Sequence, residues 1–447
     1  MQRLTNQHIL QLTLCAIALA AASFAHADEP AQASGGWQLN GQLTYTDQYH
    51  PSFAAPYGGP NSLTSSSVNE ETADITLFAG HRLWDGGEFW FNPEIDQGRG
   101  LSDTLGVAGF PSGEAYKIGA NAPYLRIPRA FVRQVFNFGG NENAAQQVDA
   151  APNQLPETVA ADNLTLTIGK FSVVDIFDAN SYAHDPRSDF LNWSLIDGGA
   201  FDYAADAWGF TNGIALEWNT GDWSARTGLF QMSEVPNAKV AGYHFHNFMS
   251  VAELERRHKW GDHPGKIKLT VYANRADMGS YADALALAQA TGGKPDTSLV
   301  RNTSTSAGFV LNLEQEVADN VGIFARASAR NGGYEAYEFS DIDRSVSAGV
   351  SLQGALWGRA QDKLGLGVAV NALSGDAQRY FAAGGMGILI GDGKLDYAHE
   401  QIAEAFYSFK LMKQVSLAAD YQRIVNPAYN QDRGPVNVYA LRLHAEY

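Results

Sequence analysis

The chain has 447 residues, with 48 Asp and Glu against 31 Lys and Arg, a formal net charge of −17 and a single cysteine. Such an acidic excess excludes a nucleic-acid binder, which needs clustered Lys and Arg, and one cysteine excludes a disulfide framework or a Cys-based metal centre. The 45 glycines and 11% aromatic residues point to strands and turns rather than helices.

Residues 1–27 read as a secretion signal. Arg3 precedes an apolar run from Ile9 to Ala22, interrupted only by Gln11 and Thr13 and too short to span a bilayer. Ala25-His26-Ala27 is the small-x-small pattern of a signal peptidase site, so cleavage is expected after Ala27. Cys15 lies inside the run behind Leu14, where a lipoprotein signal needs a small residue. Cleavage would remove Arg3 and the only cysteine, leaving a net charge of −18 and a chain suited to an oxidising periplasm. Residues 28–36 are expected to be a short periplasmic segment and 37–447 a single domain. Beyond Ala27 no run reaches the ~18 apolar residues of a transmembrane helix, so any crossing falls to strands.

From Trp37 onward the chain alternates with a period of two, which gives a strand one apolar and one polar face. Trp37, Leu39, Gly41, Leu43 and Tyr45 face one way, and Gln38, Asn40, Gln42 and Thr44 the other. A third strand carries Trp90, Asn92, Glu94 and Asp96 on one face, followed by Arg99. The fourth contains Arg126, Arg129 and Arg133, whose spacing shares a face only through a bulge, for which Pro128 is the expected site. The stretch 139–162 is long, polar and aperiodic, and nothing in the sequence accounts for its length.

Alternation resumes at Leu164-Leu166-Ile168. It continues through Trp208, Phe210, Ile214, Leu216 and Trp218, read as one apolar face with Glu217 opposite, and then Trp223, Ala225 and Leu229 with Arg226 opposite. Later strands present Ile267-Leu269-Val271, Phe309-Leu311-Leu313, and Val321-Ile323-Ala325-Ala327 against Arg326 and Arg330. Leu364 to Val370 and Tyr407-Phe409-Leu411 follow. Tyr281 to Ala290 is alanine-rich and predicts a short helix within a loop. The last strand alternates Tyr439, Leu441, Leu443, Ala445 and Tyr447 with Arg442, His444 and Glu446. Alone it equally suits an ordinary half-buried strand, although a terminal aromatic is what outer-membrane assembly machinery recognises.

Connections alternate between short turns, such as Asp85-Gly86-Gly87 and Thr220-Gly221-Asp222, and long polar stretches, such as 50–70, 97–124, 175–205, 277–303 and 373–400. Repeated dyads, short turns on one side and long loops on the other define an all-β transmembrane antiparallel barrel in the outer membrane. About sixteen strands are expected, with short periplasmic turns, long extracellular loops and both termini periplasmic. Trp37, Trp84, Phe89, Trp90, Trp218, Trp223, Trp357 and Tyr447 fall near periplasmic strand ends, as in an interfacial girdle that meets outer-membrane lipid and lipopolysaccharide.

No G-x-S-x-G, H-E-x-x-H or phosphate-loop motif is present, so a barrel-borne enzyme such as a lipase lacks its Ser, His and acid cluster. His244-Phe245-His246 offers two imidazoles without a third ligand; no metal or cofactor is expected. A water-filled lumen tolerates inward charge, whereas lipid does not. Glu94, Asp96, Arg99, Arg126, Arg129, Arg133, Arg226, Arg326 and Arg330 are therefore candidates for a narrow zone in a passive pore. Guanidinium forks donate to several hydroxyls while acids accept from them. The loop 175–205 adds Asp185, Arg187 and Trp193, and aromatic rings beside polar groups suit a sugar. The same aromatics could equally anchor the loop to the wall.

Several blocks, in order, resemble the carbohydrate-selective porins of the OprB type. They are Asn92-Pro93-Glu94-Ile95-Asp96-Gln97-Gly98, Gly109-Phe110-Pro111, Gly113-Glu114-Ala115-Tyr116, Gly169-Lys170-Phe171-Ser172-Val173, Tyr182-Ala183-His184-Asp185-Pro186-Arg187 and Phe201 to Asp206. Met278 to Leu285, Asn426-Pro427-Ala428-Tyr429-Asn430 and Asp432-Arg433-Gly434-Pro435-Val436 complete them. The resemblance implies a sixteen-stranded outer-membrane pore that lets sugars diffuse into the periplasm, with arginines and acids at its narrowing. Many porins are trimers, whereas this resemblance leans toward a monomer. A general porin and a soluble β-rich polysaccharide binder are the competing expectations.

Overall fold

The computed structural model describes residues 36–115, 119–138, 145–240, 242–339 and 341–447. The expected signal peptide, residues 1–27, lies outside the described residues, as does all of the 28–36 segment except Gly36. Among the described residues, sixteen antiparallel strands close into one barrel. They are β1 (Trp37–His50), β2 (Val68–Trp84), β3 (Gly87–Gly98), β4 (Ala120–Asn137), β7 (Asn163–Phe171), β8 (Thr211–Thr220), β9 (Trp223–Gln231) and β10 (Phe248–Trp260), and in the second half β11 (His263–Gly279), β12 (Arg301–Ala318), β13 (Val321–Arg330), β14 (Arg344–Gln353), β15 (Lys363–Ala372), β16 (Glu400–Met412), β17 (Val415–Val425) and β18 (Val436–Glu446). Two short strands, β5 (Gln146–Val148) and β6 (Glu157–Val159), pair with each other outside the barrel sheet.

Each barrel strand pairs with its sequence neighbours, and β18 returns to β1 with Leu43 opposite Ala445 and Tyr49 opposite Tyr439. Closure leaves no sheet edge, the condition for strands to cross lipid with every backbone group paired. The alternation sets the two faces. Ile75, Leu77, Ile95, Leu269, Val271, Leu311, Val368 and Leu441 are exposed on the outside, while Asn92, Glu94, Thr270, Asn312, Glu404 and Gln422 are buried within. Two-residue turns join β2 to β3, β8 to β9, β10 to β11, β12 to β13 and β16 to β17. Gly86 and Asn320 take φ of +68° and +67° there, the left-handed backbone that tight hairpins require.

The bulge in β4 forms where Pro128 predicts it. Asn92 faces Arg129 and Glu94 faces Arg126, so β4 advances three residues while β3 advances two. The extra residue turns Arg126 inward beside Arg129 and Arg133. The alanine-rich helix also forms, at Tyr281–Thr291, capped by Ser280 and packed beside the helix Gly375–Ala382 over the extracellular mouth.

Two expectations fail. Trp90 is fully buried inside the barrel rather than in the girdle, because it shares the inward face of β3 with Asn92 and Glu94. Trp37, Trp84, Trp218, Trp223 and Trp357 do remain exposed on the outside. Trp208 and Phe210 precede the start of β8 at Thr211, and Gly209 between them has φ +98°. That backbone breaks the extended run and sends both rings toward the lumen.

Candidate solute passage

The long loop between β7 and β8, residues 172–210, crosses the barrel interior and is bonded to its wall along its length. Asp175 accepts both Nε (2.8 Å) and Nη2 (2.6 Å) of Arg129. Asp178 pairs with Arg326 at 3.1 Å, Ser181 donates to Glu314 at 2.9 Å, and Asp189 pairs with Lys363. The amides of Leu191 and Asn192 donate to Glu404 at 2.6 and 2.9 Å, and Tyr272 donates to the Ala200 carbonyl at 2.6 Å. Buried polar groups so thoroughly paired fix the loop as part of the wall.

With this loop filling the lumen beside β10–β17, open space of about 500 Å³ remains against β2, β3, β4, β7 and β8. That volume is typical of a small-molecule site. Its lining includes Glu94, Arg126, Arg129, Arg133, Asp185, Arg187 and Trp193, seven of the residues expected from sequence. The bulge makes this possible by aligning the three β4 arginines on one wall. Arg126 donates to Glu94 at 2.6 Å and pairs with Asp96, while its guanidinium lies over Trp208 and Phe210 at 5.7 and 5.1 Å. Arg129 lies over Phe210 at 4.8 Å. Arg187 pairs with Asp185 at 2.8 Å and faces Glu114 at 4.0 Å.

Burial pushes the carboxyls of Asp175 and Asp185 up, but the charge and hydrogen bonds of Arg129 together with the Ser172 amide, and those of Arg187 together with its own amide, hold both below the ordinary range. Glu114 goes the other way, since burial pushes it up more than Arg187 pulls it down. Fixed donors, ionised acceptors and flat aromatic faces thus stand side by side along one wall.

The other five expected residues sit elsewhere. Asp96 is buried behind Arg126 and orients it. Arg99 is at the extracellular rim, bonded to Asp103. Arg226 is held behind the wall by Glu217 at 3.0 Å, Glu253 at 2.6 Å and Glu255 at 3.1 Å. Arg326 donates to the carbonyls of Leu195, Asp178 and Ala183 at 2.9, 3.0 and 2.9 Å, which makes it the anchor of the crossing loop. Arg330 plays the same part for the loop after β13, bonding Asp343 at 2.8 Å and the Ile342 carbonyl at 3.1 Å. Inward direction is set by strand parity, but which inward groups meet water depends on loops that parity does not describe.

Trp193 serves both roles open to it, for it lines the passage and stacks between Phe110 at 5.1 Å and Phe339 at 4.8 Å. Sequence reasoning missed Asp74, Glu114, Trp208, Phe210 and Phe339 as lining residues. Gly209 was the available signal for the first aromatic pair. His244 and His246 contact Glu234 and Asp277 separately, at 3.2 and 3.8 Å, and do not form a shared site.

A closed sixteen-stranded barrel with a lipid-facing apolar belt and a charged internal passage defines an outer-membrane porin. The family model for the carbohydrate-selective porins, OprB family, matches residues 60–447, and the chain belongs to that family. Porin AaxA of Chlamydia pneumoniae is 22% identical over 307 residues, covering 68% of this chain and 60% of that protein; the chain thus spans under two thirds of that relative's length. Porin AaxA of Chlamydia felis is 20% identical over 364 residues. The high-pH structure of OprB from Pseudomonas putida superposes with a TM-score of 0.69 and 17% identity, covering 92% of this chain and 94% of that one. The outer membrane channel DcaP of Acinetobacter baumannii gives 0.52 at 12% identity, covering 94% and 100%. At these identities the solved structures attest the fold.

Proposed function

We propose that this porin passes carbohydrates by passive diffusion, monosaccharides such as glucose and small oligosaccharides among them, along the wall lined by Arg126, Arg129, Trp208 and Phe210. The observation that carries the reading is the placement of guanidinium groups over aromatic rings at 4.8 to 5.7 Å beside Glu94. A sugar ring presents an apolar face that packs on an aromatic, while its hydroxyls both donate and accept. Arginine forks with adjacent carboxylates supply both partners, so a hydroxylated solute exchanges hydrogen bonds with water and wall at little net cost. Weak, repeated binding of this kind suits conduction, which requires release as well as entry. Membership of the carbohydrate-selective family supports the same reading.

Liposome swelling tests it. Vesicles carrying the purified protein are expected to swell in isosmotic glucose and more slowly in di- and trisaccharides. Vesicles that swell in small amino acids but in no sugar would overturn it.

A further inference from the structure

The connection from β4 to β7 is the feature that a simple porin leaves unexplained. Its described residues 145–162 form the hairpin of β5 and β6, whose strands are largely exposed beside Asn137 at the end of β4 while the tip, residues 151–156, folds up into the lumen. Gln38 donates to the Ala151 carbonyl at 3.0 Å, Asn92 to Asn153 at 2.8 Å and Arg133 to Gln154 at 2.6 Å. The Leu155 amide donates to Glu88 at 3.0 Å, and Arg82 donates to the Pro156 carbonyl at 3.1 Å and meets Glu157 at 3.5 Å. The Leu155 side chain is buried in one cluster with Phe78, Trp90 and Phe131. Asn92 stands five residues above the periplasmic end of β3, roughly 16 Å along the strand at ~3.3 Å per residue. Pro152, Asn153 and Gln154 line the same open space as Arg126, Trp208 and Phe210.

We infer that the hairpin Gln146–Val159 is the periplasmic wall of the solute passage and sets the width of its exit. It is tied to β1, β2, β3 and β4, and Asn153 and Gln154 carry polar carboxamides where the passage leaves the arginine zone. An element inserted at the exit stands in series with the arginine zone, so it adds to the resistance of the pore and bears on both ion current and size cut-off. The inference rests on the porin reading but not on the identity of the solute, so ion current tests it independently of sugar.

Two variants decide it. Deletion of residues 146–159, with Ala145 joined to Ala160, is expected to raise single-channel conductance about 1.5-fold or more and to admit larger oligosaccharides into vesicles. A correctly folded, heat-modifiable deletion protein with unchanged conductance would overturn the inference. If the deletion fails to fold, Asn153→Cys decides: Cys15 is the only cysteine of the sequence and lies in the expected signal segment. A charged methanethiosulfonate reagent added from the periplasmic side is expected to lower the Asn153→Cys current in discrete steps. Complete labelling, verified by mass, with no change in current would count against the hairpin lining the passage. Absence of any sugar effect on the unaltered channel, with both ion-current results as expected, would instead contradict the carbohydrate reading alone.

Discussion

At the scale of single residues, Arg126, Arg129 and Arg133 line the passage, Arg129 and Arg133 while also holding Asp175 and Gln154, whereas Arg326 and Arg330 only hold loops, and substitutions should separate the two sets. Neutralising Arg126, Arg129 and Arg133 together to Gln removes three positive charges from the passage wall, so ion preference should move toward cations and sugar block should weaken. Reversal potentials under a salt gradient measure the first effect. Unchanged preference would place those charges outside the conducting zone. Trp208→Ala tests the aromatic half of the wall. A ring contact worth ~0.5–1.5 kcal/mol beyond its area corresponds to roughly a 2- to 10-fold loss in sugar affinity, with little change in ion selectivity. Strand parity made the inward arginines legible, and the Pro128 bulge explained how three unevenly spaced ones share a wall. Parity could not show that Arg326 and Arg330 are covered, because their partners, Asp178 and Asp343, are more than ten residues away in sequence and on loops.

At the scale of elements, the crossing loop 172–210 is what reduces a wide barrel to an off-centre passage. Arg326→Ala would leave Asp178 buried without its counter-charge, with only Asn312 and the Gly198 amide still donating to it, a change that costs about 3–5 kcal/mol when an ion pair is fully desolvated. The expected outcome is a larger, noisier single-channel current and faster proteolysis within the loop, with ion preference little altered. The outer loops supply a pH effect. Asp341 accepts the Leu389 amide at 2.9 Å, and burial lifts its carboxyl from 3.8 to about 6. A carboxyl raised in the folded state favours that state when protonated. The contact between these two loops should therefore be firmest below about pH 4 and weaken as pH rises to about 6. Asp341→Asn, which keeps an acceptor and cannot ionise, should abolish that dependence in limited proteolysis of the loops between pH 4 and 7. Strands were legible element by element because each repeats one period. The loops were legible only as long and polar, since their folded paths depend on contacts such as Asn180 with Asn312 that no local pattern encodes. Likewise, stretch 139–162 is long because part of it folds back into the lumen, where Asn92 and Arg133 receive it.

At the scale of the whole molecule, the outer face carries no comparable subtlety: period-two alternation gives a continuous apolar belt and the closing pair of β1 with β18 removes the edges. Leu269 sits midway along β11 and is exposed on that belt. Leu269→Arg should destabilise the membrane-inserted barrel by about 2–4 kcal/mol, read as a lower midpoint in urea unfolding from liposomes. The central claim, however, concerns the interior: a narrow passage whose arginines, acids and rings bind sugars weakly as they pass. Its most direct test is single-channel current in planar bilayers against a panel of mono- and disaccharides. Stepwise conductance reduced by sugars in a concentration-dependent manner is the predicted result, whereas steps untouched by every sugar would contradict the claim and leave a general porin.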